Sequence, residues 1–202
     1  EAVTILQGAA LPASLLEPDV LAIRVQDYSP ADLDQLCASG ELVWAGAGAL
    51  GAHDGRVRLV WRDQAPALLP APPDAVDAGT DEPHHRAIRE RLADRGASFW
   101  SDLVAAVADA ELPYDDDTVL AALWDLVWAG EVTNDTLAAL RAKVAGGASR
   151  RGSGARSRRA GPNLRRVNRL GPPAAAGRWS LVSPLCQPVP TPTESVTTRA
   201  FQ

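Results

Sequence analysis

One stretch of this 202-residue chain is written twice. The segment 33–43, LDQLCASGELV, matches 123–133, LWDLVWAGEVT, at a constant offset of 90, so that Leu33 aligns with Leu123, Leu36 with Leu126, Gly40 with Gly130 and Glu41 with Glu131. In each copy leucines recur at helical spacing, a glycine follows that can take the positive φ which ends a helix, and a β-prone run comes next. A chain built this way is restricted to folds in which a helix hands over to a strand, and it must make that handover twice.

The flanks of the two copies extend the pattern. After the first, Leu42 to Trp44 leads to a turn carrying Asp54-Gly55 and then to RVRLVWR (Arg56 to Arg62), which reads as a β-hairpin. Alternation along the return strand sets Val57, Leu59 and Trp61 on one face, and places Arg56, Arg58 and Arg62 on the solvent face beside Val60. The second copy closes on a related strand, Gly177 to Val182. Gly130 and Gly177 are 47 residues apart where Gly40 and Gly55 are 15 apart, an excess of 32.

Upstream of the second copy, 84–95 predicts a helix ending at Gly96, Ser98 is placed to cap the next helix, and Asp115 to Asp117 cap a third whose Leu120, Leu123, Trp124 and Val127 form an apolar stripe. Asn134-Asp135 is read as the cap of a short helix over 136–144. The first copy has the same order more loosely, with residues 1–9, Ser14 to Arg24 and Ser29 to Ala38. Three helices and then a hairpin is winged-helix order. The expected class is therefore α+β, mainly helical, with tandem winged-helix domains at 1–65 and 84–183, the second interrupted by an insertion at about 145–176. The five-proline stretch 66–83 reads as a linker, and 184–202 as a second Pro-rich connection into a truncated further domain. The chain is expected to be a piece of a longer protein.

Charge divides the sequence. Residues 141–170 hold ten of the 20 Lys and Arg and no acid, whereas residues 1–140 carry 8 basic against 24 acidic groups. Such a basic block cannot enter a core and reads either as a solvated spacer or as a polyanion-binding arm. The candidate nucleic-acid-binding residues are accordingly Arg56, Arg58 and Arg62 on the first wing and Arg150, Arg151, Arg156, Arg158, Arg159, Arg165, Arg166 and Arg169 in the insertion. Neither third helix suits base readout: Ser29 to Gly40 offers Asp32, Asp34 and Gln35, and Thr118 to Gly130 is apolar with Asp125 as its only charge.

Other candidates resolve to structure. The six tryptophans lie on apolar stripes and alternating strands, which favours core packing over base stacking. Asp115 to Asp117 are a helix cap rather than a cation site, and the adjacent His84 and His85 have no partner at metal-ligand spacing. Cys37 and Cys186 are expected to be unpaired thiols. No phosphate-cradling glycine loop, nucleophile elbow or paired-carboxylate constellation is recognisable, so no catalytic residue is expected in this stretch. No run approaches the roughly 18 apolar residues of a membrane span, and the expected compartment is cytoplasmic.

Several segments go beyond a fold pattern. GASFWSDL (Gly96 to Leu103), ALWDLVWAGEVTNDTLAALRA (Ala122 to Ala142), GRWSLV (Gly177 to Val182) and DYSPADLDQLCASGELVWAGAGAL (Asp27 to Leu50) closely resemble the C-terminal region of the bacterial large helicase-related ATPases, Lhr. The resemblance covers nearly the whole chain except the linker and the arginine block. It implies a segment of a superfamily-two helicase whose distant ATPase domains, using ATP and Mg, would move 3′ to 5′ on single-stranded DNA and separate duplexes and RNA–DNA hybrids in DNA repair. It further implies a C-terminal part made of winged helices and a β-barrel similar to a DNA glycosylase. The helicase motifs that bind ATP do not occur here, and no cofactor is expected in the chain itself. The expected role is non-specific contact with DNA or an RNA–DNA hybrid through the wings. The alternative is a protein–protein or oligomerisation module, packing against sister winged helices of the same helicase or a second copy of the chain.

Overall fold

A computed structural model describes residues 2–152 and 171–187. In the first unit, α1 (Ala2–Leu6) and the short strand β1 (Leu11–Pro12) precede a helical run made of α2 (Ala13–Leu15), a wide turn at Leu16–Leu21 and α3 (Ala22–Arg24). Pro18 accounts for the widening, because it has no N–H and its ring crowds the carbonyl four residues back; the Ala22 amide then bonds the Glu17 carbonyl, five residues back. α4 (Pro30–Ala38) starts at Ser29, whose hydroxyl accepts from the Ala31 amide at 3.2 Å. It stops where Gly40 takes a φ of 76°. β2 (Leu42–Ala49) and β3 (Gly55–Trp61) then form the antiparallel hairpin, with Leu42 opposite Trp61, and β1 pairs with the other edge of β3.

Beyond α5 (Ala65–Leu68), the second unit repeats this order with α6 (Pro83–Arg95), α7 (Trp100–Asp109), α8 (Asp116–Trp128) and β4 (Val132–Asn134). α9 (Ala138–Gly152) follows, and β5 (Trp179–Leu181) closes on β4 with Val132 opposite Leu181 and Asn134 opposite Trp179. The doubling inferred from the sequence is therefore a doubling in space: Gly130 takes a φ of 80°, and Leu33 and Leu123 are both buried in one core.

Several local expectations need correcting. Ser98 is not the cap of α7. It is buried, and its backbone exchanges hydrogen bonds of 2.9 and 2.8 Å with Trp179, adding a third strand position to the second sheet, while Asp102 reaches back to the Phe99 amide at 2.9 Å. The helix expected over 136–144 runs from Ala138 to Gly152, and its first amide is taken by the Thr136 hydroxyl at 3.1 Å, while Asn134 accepts from the Thr136 amide at 2.9 Å. Asp34, on α4 of the first unit, accepts from the Leu137 amide and the Thr136 hydroxyl, both at 2.9 Å. The outer face of β3 is not simply solvated either. Val60 is fully buried with Val43 and Ala45 beneath Ala65, Leu68, Leu69 and Val182, so residues 65–69 of the proline-rich stretch are packed against the hairpin.

The two units share a single apolar core, and the seam between them is tight at backbone level. A Cβ at Gly46 would lie 1.8 Å from the Val127 carbonyl oxygen, and one at Gly55 would lie 2.4 Å from the Trp128 ring. Only hydrogen fits there. Trp44, wholly buried, donates from Nε1 to the Thr136 carbonyl at 3.2 Å. α8 is consequently buried on most of its circumference, as its nearly continuous apolar sequence requires. Trp124 forms the centre of an aromatic group, 5.0 Å from Trp128 and 5.8 Å from Trp179 between ring centroids.

A polar clamp secures the same seam. Arg141 of α9 donates to Glu17 at 2.6 Å, to Asp34 at 2.7 Å and to the Pro30 carbonyl at 3.2 Å, and Tyr28 donates to the second Glu17 oxygen at 2.5 Å. Burial alone would raise the Asp34 carboxyl, but Arg141, the Leu137 amide and the Thr136 hydroxyl outweigh it and hold the group below the ordinary carboxylate value. At the linker, buried Glu131 accepts from Arg89 at 2.7 Å and from the Thr80 hydroxyl.

Two outcomes follow from this seam. Gly46→Ala, which sets a methyl against an immovable carbonyl, is expected to lower stability by roughly 1–3 kcal/mol or more in urea unfolding, and an unchanged midpoint would contradict the packing described. Because Asp34 titrates below its unfolded value of about 3.9, its stabilisation is present above that pH and is lost as pH falls through the lower, folded value. The unfolding midpoint should therefore drop below about pH 4, and Asp34→Asn should remove part of that dependence in a pH series.

Candidate nucleic-acid interface

The expected basic surface is only partly assembled by the described residues. Arg56 and Arg62 are exposed and enter no ion pair among the described residues. Arg58 differs from them: it is half-buried and donates from Nε to the Gly8 carbonyl at 3.1 Å. It also lines a groove of about 490 Å³ between β2 and Pro70 to Pro73, whose walls include Asp77 and Asp125. The three wing arginines therefore do not form one uniform solvent face. Arg150 and Arg151 fall in the last turn of α9, while Arg156, Arg158, Arg159, Arg165, Arg166 and Arg169 lie outside the described residues.

Two basic residues counted with the block serve the fold. Arg141 is the seam clamp, and Lys143 sits with its ammonium 5.5 Å from the Trp124 ring centroid, where burial lowers its pKa. Arg141 and Lys143 thus belong to the fold and not to a free basic surface.

Neither third helix carries a basic residue, and on α4 the exposed polar side chains are Asp32 and Gln35. α4 turns Leu33 and Cys37 into the core and spends Asp34 on α9. α8 buries Val119, Ala122, Leu123, Trp124, Leu126, Val127 and Trp128, leaving Asp117, Ala121 and Asp125 as an exposed line at helical spacing. A line of carboxylates would repel phosphate, so the acidity seen in the sequence is set on the face a reader helix would need.

Five tryptophans, Trp44, Trp100, Trp124, Trp128 and Trp179, are buried, and Trp61 is half-buried with its indole donating to Thr4 at 3.1 Å. Asp115 caps α8 by accepting from the Thr118 amide at 2.9 Å, and its hydrogen bonds from the Thr118 side chain and backbone lower its pKa. His84 Nε2 lies 2.8 Å from the Pro113 carbonyl, and His85 accepts from the Glu82 amide at 3.2 Å while its other nitrogen lies 3.3 Å from Asp125. Among the described residues no group of His, Cys, Asp and Glu is arranged to hold a metal. Both cysteines are unpaired, and burial, reinforced by Asp34, pushes the Cys37 thiol up to about 12. Among the described residues no helix is long and apolar enough to cross a membrane.

Reasoning from the sequence passed over one surface feature. Phe99 is 54% exposed, and the exposed Arg178 places its guanidinium 5.9 Å from the Phe99 ring centroid. The available signal was positional: α7 buries Trp100, Leu103 and Val107 at helical spacing, and Phe99 precedes that stripe at the cap position.

Comparison with known proteins agrees with this architecture. Residues 1–62 match the family model described as the large helicase-related protein, winged-helix domain. Over 190 residues, 91% of the chain, it is 39% identical to "Lhr helicase/ probable uracil glycosylase" of Mycolicibacterium smegmatis. Over 187 residues, 88% of the chain, it is 38% identical to "Lhr helicase/uracil glycosylase" of Escherichia coli. In both cases the chain spans 12% of the relative's length. Residues 1–62 therefore carry the winged-helix domain described for the large helicase-related protein, and most of the chain is similar to one stretch of the Lhr proteins.

Proposed function

We propose that this chain is an accessory segment of an ATP-dependent DNA helicase that touches nucleic acid without sequence specificity, through the arginines of 150–169 together with Arg56 and Arg62, and not through either third helix. The observation that carries this reading is the division of charge. The face of α8 that would approach a duplex shows Asp117 and Asp125, α4 is engaged by α9, and the concentrated positive charge is confined to the insertion. Phosphate contact of this kind supplies affinity without reading sequence. The names of the two relatives join a helicase to a uracil glycosylase, which supports a DNA-repair setting for the longer protein. ATP and magnesium would be bound by parts of such a protein other than this segment.

A second reading is favoured by a specific surface. Ile23 is 73% exposed, and a groove of about 430 Å³ nearby is lined by Pro18, Tyr28, Leu140 and Val144. Such a surface suits packing against a sister domain or a second copy.

Replacing the eight arginines of 150–169 by serine separates the two readings. Nucleic-acid contact predicts that affinity for duplex DNA falls at least tenfold and that the salt slope shrinks by about 0.9 for each phosphate contact removed, as read by anisotropy between about 50 and 200 mM salt. Unchanged affinity and slope would remove the arginine reading, and a concentration-dependent mass in light scattering would then support the packing one.

A further inference from the structure

The N-terminus of α6 is closed by a histidine where a glutamate or glutamine ordinarily serves. Glu82 stands at the cap position and its side chain accepts from the His85 amide, while His85 Nδ1 accepts from the Glu82 amide at 3.2 Å. An imidazole nitrogen accepts only while it carries no proton. The bond from the Glu82 amide therefore fixes the tautomer: the proton sits on Nε2, which lies 3.3 Å from a carboxylate oxygen of Asp125 on α8. His85 itself is buried.

The two contacts of this ring respond oppositely to a second proton. Asp125, whose side chain is exposed, favours the charged imidazole. At Nδ1 the same proton sets N–H against N–H, and the Glu82 amide loses its acceptor. Other charged groups on the elements packed around α6 are already engaged: Asp102 of α7 pairs with Arg91, Glu131 ahead of β4 with Arg89, and Asp81 of the linker with Arg86. On α8, Asp116 accepts from Tyr114, and before β5 the Arg178 guanidinium lies 5.9 Å from the Phe99 ring centroid. Lys143 of α9 is attracted to Asp125 and competes with the imidazole for it. The linker has a second anchor that does not involve the histidine, because Arg89 donates to the Thr80 carbonyl at 3.0 Å and the Thr80 amide donates to the Ala75 carbonyl at 2.9 Å.

We propose that His85 is a proton-operated latch on the first turn of α6. Neutral, it holds the Glu82 amide and ties the end of the linker to the helix; protonated, it keeps its contact with Asp125 and releases that amide. Histidine is the side chain whose charge ordinarily changes between about pH 5 and 8, which separates such a latch from the carboxylate contacts of the seam. The opening is local. Thr80 stays anchored to Arg89, so acid makes a hinge of residues 81–83 without parting the shared core.

The test follows backbone amide exchange of the full chain by nuclear magnetic resonance at about pH 8 and about pH 5, each rate being divided by its intrinsic value at that pH. In the wild type, protection of the Glu82 amide should fall about 2- to 30-fold on acidification, the range for loss of a helix cap, while the Thr80 amide keeps its protection. His85→Gln supplies an acceptor at the same position that takes no proton, and should hold Glu82 protection level across the two conditions. His84→Gln, at the neighbouring imidazole, should behave as the wild type. Unchanged Glu82 protection in the wild type, or the same fall in His85→Gln, overturns the latch. So does loss of the fall in His84→Gln, or an equal fall at Thr80, which would mark a general opening in acid. Should His85→Gln not fold, the imidazole nitrogen shifts of wild-type His85 decide the matter. Nδ1 must gain its proton as Glu82 protection is lost; a fall with the ring still neutral, or a protonated ring with that amide still protected, overturns the proposal.

Discussion

The approach of the β2–β3 hairpin to α8 sets most of what this molecule can do. Where Gly46 meets the Val127 carbonyl, and Gly55 meets the face of Trp128, main chain and ring come so close that any side chain would force the two units apart. The contact covers the Val127–Trp128 end of α8 and lets Trp44 reach the Thr136 carbonyl, and it allows one continuous apolar core to run through both halves. Glycine is used here for its lack of volume, which is a different reason from the positive φ that Gly40 and Gly130 supply at the helix ends.

Given that seam, the fate of the two third helices follows. A winged-helix unit in isolation exposes its third helix, but here α4 faces α9 and is fixed to it through Asp34, which both caps the incoming helix and pairs with Arg141. α8 is enclosed on its apolar side, and the charged groups it keeps outward are all acids. Third helices whose sequence already suits base readout poorly are thus engaged in holding the units together.

Much of the fold was legible because the signals were local. Gly40, Gly96 and Gly130 do end helices, Asp115 does cap one, and the strand at 179–181 does close on the one after Gly130. The misreadings share a cause. Ser98 has the chemistry of a cap but is drawn into the sheet by Trp179, and the turn that Asn134 makes with the Thr136 amide is joined by Asp34, which takes the Leu137 amide from about a hundred residues earlier in the chain. Hydrogen-bonding partners distant in sequence leave no trace in a local pattern.

The sequence by itself determined the two-fold order of elements, the places where helices stop, the burial of the tryptophans and the separation of acidic from basic charge, since each depends on spacing or on composition. Only the tertiary structure decided that Arg58, Arg141 and Lys143 are tied into the fold while Arg56 and Arg62 remain exposed, that residues 65–69 cover the hairpin, and that Phe99 stands in solvent beside Arg178. The physical reason is that a side chain's charge or apolarity is a property of the residue, whereas its availability depends on which surfaces from elsewhere in the chain come to rest against it.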